Sequence, residues 1–114
     1  MGSARINLSR VLILAMLAAG LALWSTPAAA EDAAATYKAK CAMCHGADGK
    51  GETPVGKKMG VHDFASPEVQ KMSDEELIAA TTKGKNKMPA YENKLSAAQI
   101  KDLVAYIRQL AKGK

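Results

Sequence analysis

Five consecutive residues, Cys41-Ala42-Met43-Cys44-His45, carry the most specific chemistry in the sequence. Two thiols at i and i+3 lie on one side of a helical turn. Each can add to one vinyl group of the same porphyrin, giving two thioether bonds. The imidazole that follows at once can then supply the proximal ligand to the iron. C-x-x-C-H is the attachment signature of haem c. Other chemistries fit less well. A thioredoxin-like redox pair expects a βαβ context, and none is visible. A structural zinc site wants four ligands. Cys41, Cys44, His45 and His62 could supply them, but three of these crowd into five residues. A disulfide between Cys41 and Cys44 would be strained.

A haem iron that only carries electrons has a sixth ligand, and Met with His is one such pairing. The candidates beyond the leader are Met43, Met59, Met72, Met88 and His62. Met43 lies inside the attachment motif, on the His45 side. Met72 reads as a packing residue before a helix, Met59 as loop packing and His62 as a solvated loop histidine. Met88 differs. It stands in Lys85-Asn86-Lys87-Met88-Pro89-Ala90-Tyr91, between two predicted helices, with proline fixing the backbone after it. No cap and no helix face explains it, and it lies far enough along the chain to reach the other side of a disc held by His45.

These residues need elements to hold them, and the chain is short. Its 114 residues fit one domain, and its net charge is +5. Arg5 and Arg10, an apolar run from Val11 to Leu23, and Ala28-Ala29-Ala30 together match a secretory signal peptide. The apolar run falls short of the about 20 residues a bilayer core needs. Residues 1–30 are therefore expected to be cleaved after Ala30, giving an exported, periplasmic protein that starts at Glu31 and has no stable membrane insertion. The two arginines leave with the leader. The remaining charge is mild, and no dense basic stripe supports nucleic-acid binding. The aromatics that remain are Tyr37, Phe64, Tyr91 and Tyr106. So thin a core favours a staple such as a bulky cofactor.

The fold class expected for residues 31–114 is all-α with long loops. A first helix is predicted from about Ala33 to Cys44, with Tyr37, Cys41 and Cys44 on one face. Ser73 with Glu76, and Ser96 with Gln99, are capping boxes that open two more helices. Met72 with Leu77, and Leu95 with Ile100, are candidate hydrophobic staples. Gly84 and Gly113 are candidate stops. Ile100, Leu103, Val104, Ile107 and Leu110 form an apolar stripe. Ser66-Pro67 reads as a short helix start. Gly46, Gly49, Gly51, Gly56 and Gly60, with Pro54, mark residues 46–64 as mostly loop. No period-2 alternation predicts a strand.

Taken together, Cys41 to His45, Met88-Pro89-Ala90-Tyr91 and Asp102-Leu103-Val104-Ala105-Tyr106-Ile107 resemble the class I monohaem c-type cytochromes, of the short bacterial, cytochrome c6-like sort. The resemblance implies a cytochrome c fold of three to five helices around one covalently bound haem c. The first and last helices would meet through Tyr37 and the Leu103 and Tyr106 region. It implies thioethers at Cys41 and Cys44, with His45 and Met88 as axial iron ligands. It also implies a proline whose carbonyl accepts the proton of the proximal imidazole. Pro54 fits that role, although Thr53 stands where the family commonly has glycine.

With both axial positions filled, the iron can only gain or lose an electron. The function implied is single-electron transfer by a soluble, monomeric carrier, not an enzyme, acting between redox protein partners. The alternatives are a haem c subunit of a larger oxidoreductase complex, or a small haem peroxidase if the sixth position is open. Lys83, Lys85, Lys87 and Lys94 bracket Met88, with Lys57 and Lys58 nearby. They suggest docking of an acidic partner, against the plainer reading of a solvated lysine face.

Overall fold

The computed structural model describes residues 28–113. The expected leader lies outside the described residues up to position 27. Its last three alanines begin the first helix. Among the described residues, no helix is long and apolar enough to cross a membrane.

Helix α1 spans Ala28–Lys40, with Glu31 in its first turn and Lys38 and Lys40 in its last. Both placements complement the helix dipole. Ala33 and Tyr37, four residues apart, turn the same face inward. The predicted helix to Cys44 is divided. Cys41 departs from helical geometry at φ −116°, and a one-turn helix α2 follows at Ala42–His45.

Helix α3, Pro54–Met59, lies inside the stretch expected to be mostly loop. Its start signal is present in the sequence. Thr53 accepts a hydrogen bond from the Gly56 amide, Pro54 fills the first helical position, and Gly60 ends the helix at φ 68°. Helix α4, Pro67–Gln70, starts at Ser66 as expected. Helix α5, Asp74–Lys83, and helix α6, Ala97–Ala111, both open with the complete capping boxes read from the sequence. Gly84 caps α5. Gly113 follows Lys112, the cap of α6, in a left-handed conformation.

The all-α fold is borne out. The helices number six among the described residues because Cys41 divides the first and α3 joins the set. The only sheet-like pairing among the described residues is an isolated bridge between Lys85 and Met88.

Helix α6 is the centre of the packing, and α1 and α5 both lie against it. It buries Ile100, Leu103 and Val104. Tyr37 of α1 is 2% exposed and meets Tyr106 of α6 with ring centroids 5.2 Å apart. Phe64 joins from a loop, edge-on to Tyr37 at 6.3 Å. Each fully buried side chain of this size is worth about 1.5–3 kcal/mol relative to exposure. Such residues are few here, and the space between α5, α6 and the loops is left as a cavity.

Candidate functional site

That cavity has a volume of about 370 Å³, within the range of small-molecule and cofactor sites. Its walls include Leu77 of α5 and Leu103, Val104 and Ile107 of α6. Cys41, Cys44 and His45 border it from one side of the sequence, and Met88 from another. The structure thus brings the predicted thiols, imidazole and thioether sulfur to one space. Met59, Met72 and His62 border it too, which the sequence reading did not anticipate.

His45 ends α2, and its ring stacks on Phe64 at 4.7 Å and 22°. Burial pushes its pKa down, which favours the neutral imidazole that can ligate a metal. Its Nδ1 is buried without a hydrogen-bond partner. The expected bond from Nδ1 to the Pro54 carbonyl is therefore not made. Pro54 serves as the first residue of α3, and its neighbour Thr53 makes the contact with α2 instead. The Thr53 hydroxyl is shared between the carbonyls of Met43, at 2.8 Å, and Cys44, at 3.1 Å. Helix α3 sits so close to α2 that a Cβ on Gly56 would come within 2.2 Å of the Cys44 carbonyl oxygen.

Cys41 and Cys44 are both half-buried free thiols. Burial pushes the Cys41 thiol up to about 11, with Lys40 opposing the shift. Met88 is held in a tight turn. Its amide donates to the Lys85 carbonyl at 2.9 Å, and the Lys85 amide donates back at 3.2 Å. Asn86, within that turn, takes a positive φ of 53°, a conformation asparagine tolerates better than most residues. Three residues on, the Tyr91 hydroxyl donates to the Lys40 carbonyl at 3.2 Å, beside Cys41. The Met88 segment is thereby tied to the attachment segment. Met59, in contrast, ends α3, the helix packed on His45's own helix. His62 is exposed and pairs with Glu68 at 2.9 Å.

Comparison with known proteins decides the family. Residues 28–107 match the family model described as cytochrome C oxidase, cbb3-type, subunit III. The chain is 36% identical to cytochrome c6 of Nostoc sp. over 102 residues, covering 83% of this chain and 89% of that protein. This chain belongs to the class I c-type cytochromes. It is also 35% identical to cytochrome c6 of Synechococcus sp., over 83% of this chain and 86% of that one. A third relative is the cbb3-type cytochrome c oxidase subunit CcoP of Azospirillum brasilense, 34% identical over 76% of this cytochrome but only 30% of that subunit. Among solved structures, the KustC0563 c-type cytochrome superposes with a TM-score of 0.64 at 34% identity, covering 69% of this chain and 96% of that one.

A c-type cytochrome of this kind carries covalently bound haem c and works as an electron carrier rather than an enzyme. The residues present fit that group on three counts. Two thiols have the required spacing, an apolar-walled cavity adjoins them, and a half-buried imidazole whose buried Nδ1 has no partner stands beside both.

Proposed function

We propose that this cytochrome is an exported single-electron carrier, with thioethers at Cys41 and Cys44 and with His45 and Met88 as axial iron ligands. The observation that carries this reading is the meeting of both thiols, His45 and Met88 around one apolar-walled cavity. Haem c, when bound, supplies a reversible one-electron couple. The protein's own part is to orient two axial donors, exclude water with the α5 and α6 walls, and hold the geometry fixed in both redox states. Met88 is preferred over Met59 because α3 packs on the His45 helix, whereas the Met88 turn arrives on a separate segment.

The deciding experiment is a redox titration of the purified protein followed by visible spectroscopy. The wild type should show a low-spin haem and a sulfur-to-iron band in the far red. Met88→Ala should lose that band, lower the potential and gain peroxidase activity as a coordination position opens. Loss of the band in Met59→Ala or Met72→Ala, with Met88→Ala unaffected, would overturn the assignment. Export is supported by the charged start, apolar run and Ala28-Ala29-Ala30 of the leader. The mature N-terminus should read Glu31-Asp32-Ala33.

The partner is proposed to be an acidic redox protein. Two of the lysines around Met88 are engaged locally: Lys83 pairs with Glu92 at 2.7 Å, and the Lys94 ammonium lies 5.7 Å from the Tyr91 ring centre. Lys85 and Lys87 are exposed at the cavity mouth and are the stronger steering charges. Electron-transfer rates should fall as salt rises, and Lys85→Glu with Lys87→Glu should cut the low-salt rate most. A second reading has a specific observation behind it. The match to a stretch of the CcoP subunit favours a role as a haem c unit in a larger oxidoreductase complex. Elution of the native protein alone or with other chains distinguishes the two.

A further inference from the structure

The backbone around His45 is held by other groups at every carbonyl. The Met43 and Cys44 carbonyls accept from the Thr53 hydroxyl at 2.8 Å and 3.1 Å. The His45 carbonyl accepts from the Gly51 amide at 2.8 Å. The Gly46 carbonyl accepts from the Tyr37 hydroxyl at 2.6 Å and from the Gly49 amide at 3.1 Å. The imidazole itself has no such restraint, since Nδ1 is buried and unpartnered. Its ring stacks on Phe64. Phe64 is in turn fixed by the edge of Tyr37 and by its amide bond to the Gly49 carbonyl at 3.0 Å.

We propose that Tyr37 and Thr53 are positioning residues that set the orientation of the His45 imidazole by gripping the backbone carbonyls on either side of it. The proposal rests on His45 being the proximal ligand. Tyr37 acts at two points, with its hydroxyl on Gly46 and its ring on Phe64. A bond of 2.6 Å is short for a hydroxyl donor, and burial keeps that hydroxyl protonated, pushing its pKa far above the usual tyrosine range. Gly46, at φ 81° and ψ 155°, takes a backbone conformation nearly confined to glycine. Its carbonyl therefore points where only this geometry can send it. Thr53 holds the two preceding carbonyls and also accepts from the Gly56 amide at 2.9 Å, linking α3 to α2. A side chain that orients a ligand from behind tunes a metal site as surely as the ligand does.

The test is proton NMR of the ferric holoprotein, where the hyperfine shifts of the four haem methyls report the plane of the axial imidazole, combined with a redox titration. Tyr37→Phe and Thr53→Val remove one hydroxyl each with little change of shape. Both should alter the methyl-shift pattern and move the potential, and Thr53→Ser should restore both. Tyr106→Phe, which removes a neighbouring hydroxyl from the same aromatic cluster, should leave the pattern as in the wild type. Should Tyr37→Phe yield no holoprotein, the Thr53→Val and Thr53→Ser pair decides alone. An unchanged pattern and potential, with only a lower melting temperature, would overturn the proposal and leave both residues as ordinary packing. A wild type without a low-spin, histidine-ligated spectrum would instead overturn the assignment of His45 itself.

Discussion

The two sides of the cavity are built differently. On the His45 side, α2, the loop from Gly46 to Thr53, and α3 interlock through backbone carbonyls, and Gly56 is pressed against Cys44. On the Met88 side, a short turn runs between α5 and α6, held by the reciprocal Lys85–Met88 amide bonds, by the Tyr91 and Glu92 amides on the Thr81 and Thr82 carbonyls, and by a tyrosine that reaches back to Lys40. The first side has little room to adjust, because backbone meets backbone at Gly56 and the Thr53 and Tyr37 hydroxyls hold the carbonyls around His45. The second is exposed, lysine-rich and tied at a few points. The contrast is between a closely packed frame behind His45 and an exposed flap that carries Met88.

The largest expected effect breaks the rigid side. Gly56→Ala places a Cβ within 2.2 Å of the Cys44 carbonyl oxygen and 2.6 Å of the Gly51 carbonyl oxygen. Backbone cannot step aside cheaply, so about 3 kcal/mol of stability should be lost. Denaturant unfolding of the holoprotein measures it, and a loss below about 1 kcal/mol would show that α2 and α3 are not rigidly interlocked.

Much of this arrangement was legible in the sequence. The C-x-x-C-H run, the capping boxes at Ser73 and Ser96, and the isolation of Met88 between two helices each express a local rule, so each could be read from neighbours alone. Helix α3 was also legible but was hidden by its glycines. Thr53-Pro54 is the same start signal as Ser66-Pro67, yet Gly56 reads as a breaker until it is known to pack on Cys44. The break at Cys41 left no mark in the helical periodicity. The Tyr37 bond to Gly46, and the convergence of Met59, Met72 and His62 on the cavity, depend on how the chain folds back. No spacing encodes them. Pro54 is a further case: its position suggested a partner for His45, whereas Nδ1 has no partner in the structure and Thr53 bonds the Met43 and Cys44 carbonyls.

A middle-sized effect should sharpen the contrast on the flap side. Tyr91→Phe removes the hydroxyl that reaches Lys40, at a cost of about 1 kcal/mol. Its distinctive outcome should be kinetic. Replacement of the methionine sulfur by added imidazole should speed up in Tyr91→Phe far more than global unfolding does. Equal acceleration of both would show that the flap does not open separately from the frame.

The smallest effect should come from Lys83→Ala. Its pair with Glu92 is exposed on both partners, so it should contribute less than about 1 kcal/mol, and less still at high salt. A thermal scan at two ionic strengths checks this. A loss as large as that of Tyr91→Phe would make the ion pair, rather than the tyrosine, the main tie of the flap.

The half-buried Cys41 thiol also implies a timetable. With its pKa near 11 in the closed fold, only about one molecule in ten thousand would present the reactive thiolate at neutral pH. A chain still open to solvent would hold more of that thiolate than the finished structure does. Under the proposed attachment at Cys41, the folded state is then better suited to keeping the tether than to forming it.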